Sequence, residues 1–529
     1  MKQILPKNPK VYFFAILHFF ITTLFDSFVF VNPKYFVDYK YLLLKSLSFV
    51  VLIFIWNSIF FLIKRIKMRD KEWIKKIRIF TQYFSCIAVL LLITWPGIWK
   101  GDEFWIYQSV RDLEINYWYH YLTFCYYAIC LMIIPFGAGI LLVQIIICSC
   151  IVSYIVYDQS LKNKRYYWLF FLFILPPVIF HNLYPMRVTL YAFFLLFLFY
   201  YLYFKVLKSS DLKLTSLIPV IVITPIISTW RSDGIIYLPF ILLLLYIGRK
   251  NMIHNKSFII SSLGIIVTTI LLSFPQNKWS GKNEDYSLTT MLNPLSNMLR
   301  YGHLNKMGEL EKDLSSLINL KILRKYADYR ETPAFHSHKE ELFNSHAPEN
   351  YKKFKKAYIK LVLSNPKEFL MVRYKTFLAT SGFDFHPEWK WETGAFSLSQ
   401  SANEGIANFA KSNLFNRSYN DDFRINTIRL IEGKNPVHFD KPLPHYFIFW
   451  NLFITLFILL ILTLVSLVKR NKYMIIISLS IWASFFGVFF TVPAIYFMYY
   501  FPIYLVVYVL GFCYLLEIKK KEWKSWVEK

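Results

Sequence analysis

Long apolar runs broken by short polar stretches dominate the pattern along this chain. About 20 mostly apolar residues are needed for a helix to cross the hydrocarbon core of a bilayer. Runs near that length predict spans at about 11–32, 42–63, 77–96, 138–157, 166–182, 187–205, 215–230, 235–248, 257–274, 446–468, 473–491 and 497–517. A further apolar piece, 120–135, is short and aromatic. It reads as a re-entrant or interfacial helix, because a full span there would break the alternation of charge described below. The fold class predicted is an all-α polytopic membrane protein of about 12 transmembrane helices.

One long polar region, 275–445, interrupts the pattern. "LEKDLSSLINLKILRKYADY" and "ENYKKFKKAYIKLVL" repeat apolar residues at i, i+3 and i+4, as amphipathic helices do. "NPKEFLMVRYKTFLAT" (365–380) follows, with Pro366 at a helix start; its apolar face has either the membrane or the helical bundle as partner. The remainder, 381–445, is rich in Gly, Asn, Ser and Asp and reads as loop. The chain therefore divides into a transmembrane module, 1–274, whose first external loop is 97–137; a mainly helical domain, 275–445; and C-terminal spans with a basic tail, 446–529.

Composition supports the membrane class. Of the 529 residues, 56% are hydrophobic and 18% charged, against about 25% charged in soluble domains; mean hydropathy is +0.39. The net charge of +27 would suggest nucleic acid in a soluble protein, but no nucleic-acid motif accompanies it. The basic residues gather in alternate loops, such as "KRIKMRDKEWIKKIR" (64–78) and the tail "KKKEWK". By the positive-inside rule these loops and both termini face the cytoplasm, and 275–445 is extracytoplasmic. The expected location is the plasma membrane, multi-pass. "MKQILPKNPK" lacks a small-residue cleavage site, so the first span is read as uncleaved. The six cysteines lie in apolar surroundings and read as membrane-buried thiols.

The candidate chemistry starts at "TWPGIWKGDEFWIYQ" (94–108), where a span ends and Asp102 and Glu103 follow at once. Neighbouring carboxylates repel, which raises one pKa unless a cation compensates, and a group poised that way takes a proton from a nucleophile. Arg187 and Arg231 stand at outer ends of spans, where a guanidinium binds phosphate bidentately or simply snorkels; Asp233 is a ready ion-pair partner for Arg231. Arg373 and Lys375 face either substrate or lipid headgroups. His336, His338 and His346 match no metal-ligand spacing. Asp26 and His18 lie within the first span, where ionisable groups are notable. The 52 Phe and 38 Tyr mostly serve lipid and helix contacts, with a few near 104–127 available to stack on a sugar ring.

The Asp-Glu pair after a long helix, followed by aromatics, resembles the GT-C superfamily of integral-membrane glycosyltransferases. "GDEFWIYQ" is similar to the first-loop element of protein O-mannosyltransferases and aminoarabinose transferases. "WPGIWKGDEFWIYQSV" is closer to bacterial cell-surface polysaccharide proteins, which open this loop with Tyr-Pro-Gly and an Asp. "NYWYHYLTFCYYAI" keeps His120 and the aromatics of their next element without its Pro, "STWRSDGIIYLP" resembles their Arg-x-x-Gly piece, and "IYFMYYFPIYL" keeps Tyr499, Tyr500 and Pro502 but has no Arg. The resemblance implies Asp102, and secondly Glu103, as catalytic carboxylates, with His120, Arg187, Arg231, Asp233, Arg373 and Tyr499 toward substrate. The expected partners are a polyprenyl-phosphate-linked sugar, a glycan or lipid acceptor and membrane lipids, with no nucleic acid. No Gly-rich phosphate loop suggests a sugar-nucleotide donor, and a divalent metal ion is the one cofactor left open. Two other readings stay open: a polymerase or ligase of undecaprenyl-diphosphate glycans, and a flippase or transporter of lipid-linked sugars.

Overall fold

The computed structural model describes residues 6, 8–31, 38–162, 164–209, 212–251, 255–279, 284–383, 398, 404–438 and 441–527. Among these the protein is all-α, with only three isolated antiparallel bridges besides its helices. Eight helices are long and apolar enough to cross a membrane: Tyr39–Lys67, Lys71–Ile93, Gly137–Ser160, Arg187–Val206, Ser257–Gln276, Pro444–Val468, Lys472–Thr491 and Phe501–Ile518. Local chemistry sets their ends. Asp70 caps Lys71–Ile93 by accepting the N–H groups of Glu72 and Trp73 at 3.1 and 3.3 Å. Lys64, Arg65 and Lys67 close the preceding helix, where cations complement the dipole.

The other four expected spans take shorter forms. The 11–32 run is helical over Pro9–Leu24, and the runs at 215–230 and 235–248 form the apolar helices Leu214–Trp230 and Ser232–Gly248. The 166–182 run is not one helix: it breaks into Lys164–Tyr167, Trp168–Phe173 and Pro176–Asn182. Pro176 and Pro177 cause the break, since the residue before a proline is pushed out of the helical region, and Leu175 is indeed extended. The 120–135 piece forms Tyr121–Ile133, 13 residues or about 20 Å, too short to cross.

The largest apolar core forms around the Arg187–Tyr201 helix and the helix beginning at Phe501, joined by Gly137–Ser160. The Tyr39–Lys67, Lys71–Ile93 and Ser257–Gln276 helices instead leave apolar side chains bare, among them Leu92, Ile270 and Leu271. Exposed apolar faces of this length suit hydrocarbon and not water, and the chain is a multi-pass membrane protein.

The polar region folds over one end of this bundle. Residues 284–372 have their own apolar core, with Leu292, Leu314 and Phe354 at its centre. Arg373 joins that unit to the bundle: its guanidinium donates to Phe489 O at 2.8 Å, Val492 O at 2.6 Å and Asn293 Oδ1 at 3.3 Å. The two carbonyls belong to the unfilled C-terminal end of the Lys472–Thr491 helix, where a cation is favoured. The stretch expected to be loop contains two helices, Glu404–Ser412 and Asp421–Glu432. The second begins on the Asn420 side chain, which accepts from Phe423 N, and stops at Gly433 with φ +80°.

Candidate active site

The turn before the acidic pair is fixed from three sides. Trp95 Nε1 donates to Phe415 O at 2.7 Å, Ile98 N to Leu183 O at 2.7 Å, and Arg424 Nη2 to Gly97 O at 2.9 Å. Gly97 has φ +105°, and a Cβ there would lie 2.1 Å from Leu141 Cδ1, so only glycine fits this crossing. The chain then starts the Gly101–Arg111 helix, with Asp102 and Glu103 in its first turn, where the dipole favours negative charge.

Successive helical residues point about 100° apart, and this rotation separates the two acids. Asp102 lines a cavity of about 450 Å³, within the size range of small-molecule sites. Lys100, Trp105, Tyr117 and Trp118 share its wall from the same loop; Tyr286, Thr289, Glu331, Phe335 and His336 come from the 284–383 unit, and Tyr496, Met498 and Tyr499 from the turn before the last helix. A side chamber of about 80 Å³ adjoins it through Lys100, Tyr184, Tyr496 and Met498, and is closed by His181, Trp450 and the Glu432–Lys434 pair. Glu103 lines neither. It is fully buried, and its two oxygens have no partner in hydrogen-bonding geometry.

The electrostatics follow that placement. Asp102 is open to the cavity's solvent but closely surrounded by protein, so burial raises its pKa while Arg187 and Lys100 hold it back. Burial pushes Glu103 up to about 8, Asp102 beside it adds to the rise, and the Tyr184 hydroxyl and Lys100 oppose it. At neutral pH Glu103 is thus a protonated acid facing the core, while Asp102 faces the cavity.

Arg187, at the start of its helix, exerts its charge on the lining residues Asp102, Tyr286 and Tyr499. Its Nε has no hydrogen-bond partner, and among the described residues it makes no ion pair. A cation at a helix N-terminus is disfavoured by the dipole, so this corner favours an anion, and Asp102 already acts on it through space. His120 caps the Tyr121–Ile133 helix, accepting from Leu122 N at 3.3 Å; burial and Arg187 push its pKa down to about 4, leaving a neutral imidazole. Arg231 is engaged by Asp233 at 2.8 Å and lies over the Tyr191 ring, with its charge felt at Tyr499.

Of the remaining candidates, His336 lines the cavity and the others lie elsewhere. Arg373 is the clamp described above, and Lys375 lies 5.2 Å from the Tyr301 ring. The three histidines point apart: His336 lines the cavity 3.9 Å from Glu331, His338 stacks on Tyr326 at 3.8 Å, and His346 contacts Asp285 at 3.2 Å. Among the described residues no group of His, Cys, Asp and Glu gathers in a way that holds a metal ion. Asp26 is buried and bound by Lys45 and Tyr41, each at 2.6 Å, and so ties its segment to the Tyr39–Lys67 helix; His18 bonds Ile133 O at 3.0 Å and ties the first helix to Tyr121–Ile133. Lys100, Tyr184, Tyr286 and Glu331 were not singled out from the sequence. Lys100 had a signal, as a lone cation beside two acids in a lysine-poor loop. Tyr286 and Glu331 had none, since they reach the site from more than a hundred positions away.

Comparison with known proteins adds no relative: no family model, curated protein or solved structure matches this chain.

Proposed function

We propose that this protein is an integral-membrane glycosyltransferase of GT-C type with about 12 spans, both termini in the cytoplasm and its cavity on the outer face of the plasma membrane. It moves a sugar from a polyprenyl-phosphate-linked donor to a cell-envelope glycan or related acceptor. The observation that carries this reading is Asp102 on the wall of a 450 Å³ cavity, with Lys100 and Arg187 acting on it and aromatic rings around it.

In this reading an acceptor hydroxyl attacks the anomeric carbon of the donor sugar. The new glycosidic bond forms as the bond from that carbon to the phosphate oxygen breaks, and the hydroxyl proton passes to Asp102. The leaving polyprenyl phosphate keeps the bond's electron pair, and Arg187 and Lys100 offset its charge. Arg231 already has Asp233, which makes Arg187 the stronger choice for the phosphate. Tyr117, Tyr286 and Phe335 offer ring faces, with Tyr117 and Tyr286 6.0 Å apart between centroids.

The test is transfer by the full-length protein in proteoliposomes supplied with polyprenyl-phosphate-linked sugars and glycan acceptors. Asp102→Asn is expected to fold normally and lose transfer. Full activity in that variant removes the mechanism, and flux of intact lipid-linked sugar with no new glycosidic bond replaces it with transport.

A further inference from the structure

We propose that the hairpin of the Pro348–Ser364 and Pro366–Thr380 helices is a membrane-docking surface that seats the 284–383 unit on anionic phospholipid headgroups. This does not depend on the glycosyltransferase reading.

Both helices are two-faced. On the first, Tyr351, Phe354, Tyr358 and Leu361 enter the unit's core. Its other face carries Lys352, Lys356, Ile359, Lys360 and Leu363, all exposed and spaced i, i+4, i+7, i+8 and i+11, which is one helical stripe. On the second helix Val372, Arg373, Thr376 and Phe377 are buried. Lys367, Leu370, Met371 and Tyr374, at i, i+3, i+4 and i+7, are exposed. Leu363 is 74% exposed and Met371 51%, a poor arrangement for water.

Their height relative to the membrane is set by the Lys472–Thr491 helix. Phe369 stacks on Phe490 with centroids 6.2 Å apart, and Arg373 bonds Phe489 O. Both contacts fall in the last turn of that membrane-crossing helix, whose Phe486 and Phe490 are themselves exposed. The Leu370–Met371–Tyr374 face therefore continues the lipid-facing wall at the level where hydrocarbon gives way to headgroups. Tyr301, 57% exposed with Lys375 over its ring, has the composition of that zone, where aromatic and long basic side chains anchor.

Charge selects the lipid. Lys352, Lys356, Lys360 and Lys367 have no ion-pair partner among the described residues, whereas Lys355 is taken by Glu284 at 2.9 Å. A stripe that alternates lysine with apolar side chains matches an anionic headgroup layer above acyl chains. A soluble polyanion has no use for the apolar half.

The experiment uses the full-length protein with its accessible Cys86, Cys125 and Cys150 changed to Ser, in lipid nanodiscs. A nitroxide is placed at Met371→Cys, at Leu363→Cys, or at Asp313→Cys on the Met307–Ser315 helix as the solvent control. The ratio of accessibility to oxygen over a water-soluble nickel chelate is expected to be several-fold higher at 371 than at 313. Nitroxide motion at 363 is expected to slow when phosphatidylglycerol is added to phosphatidylcholine discs, and that slowing is lost in a Lys352→Gln, Lys356→Gln, Lys360→Gln background. Equal ratios at 371 and 313 overturn the docking. No response to phosphatidylglycerol overturns the headgroup assignment. Slowing by soluble polyphosphate with equal ratios at 371 and 313 replaces the lipid with a polymer.

Discussion

Asp102 and Glu103 are consecutive, yet Asp102 faces the cavity and Glu103 is sealed in the core beside the Tyr184 hydroxyl. One helical step of about 100° puts two neighbouring acids into different surroundings, one at the cavity and one in the core. Asp102→Asn is expected to lower transfer by about a hundredfold to ten-thousandfold, the usual contribution of a general base, with expression and thermal stability unchanged. Glu103→Gln is expected to keep most of the activity. Initial rates of both variants in proteoliposomes check the assignment.

Glu103 also makes stability depend on pH. Its folded pKa of about 8 lies above its ordinary value of 4.5, so between those two values the native state holds a proton that the unfolded state has released. Stability from this group is fully present below about 4.5 and falls as pH rises through about 8. Glu103→Gln is expected to flatten the decline and to be more thermostable than the wild type at pH 8.5 (about half a unit above the titration). Melting of both proteins across that range in one detergent is the measurement.

Arg187 favours the ionised form of Asp102. Removing it as Arg187→Gln is expected to raise the Asp102 pKa and move the acid limb of the kcat/KM profile to higher pH. It also removes a cation for the donor phosphate, which is expected to lower kcat/KM by roughly tenfold to a hundredfold. Arg187→Lys is expected to recover the pH profile better than the affinity, because a point charge replaces a fork. A pH profile that stays in place in Arg187→Gln would separate the two residues.

Arg373 contributes to stability and not to the cavity. Arg373→Met leaves Phe489 O, Val492 O and Asn293 Oδ1 without their donor, at a cost on the order of 3 kcal/mol. Limited proteolysis is expected to cut the 284–383 unit faster in this variant, with the donor KM unchanged in the fraction that stays folded.

Gly97→Ala tests the turn that positions the acids. Its φ of +105° and the 2.1 Å approach to Leu141 Cδ1 predict destabilisation of at least about 1–3 kcal/mol. Loss of activity in step with loss of thermal stability is the expected pattern.

Much of the site's outline was legible locally. The pair at Asp102 and Glu103 stands out because two acids directly follow an apolar run, and Arg231 with Asp233 two positions later reads as an ion pair. The broken 166–182 run was also legible in its two prolines, and the Asp421–Glu432 helix in Asn420 and Gly433, although composition masked both. Arg373 was not legible as a clamp, because its partners at Phe489 and Val492 lie more than a hundred residues away.

The sequence by itself determined that this chain is helical and crosses a membrane, since apolar run length and basic loops are one-dimensional properties read against a bilayer of fixed thickness. It also determined that two acids directly follow an apolar run. Only the tertiary structure decided which acid sees solvent, which arginine is left without an ion pair among the described residues, and that Tyr286, Glu331 and Tyr499 close a cavity around Asp102. Those depend on helix rotation and on contacts between segments far apart in the chain, and no local pattern encodes either.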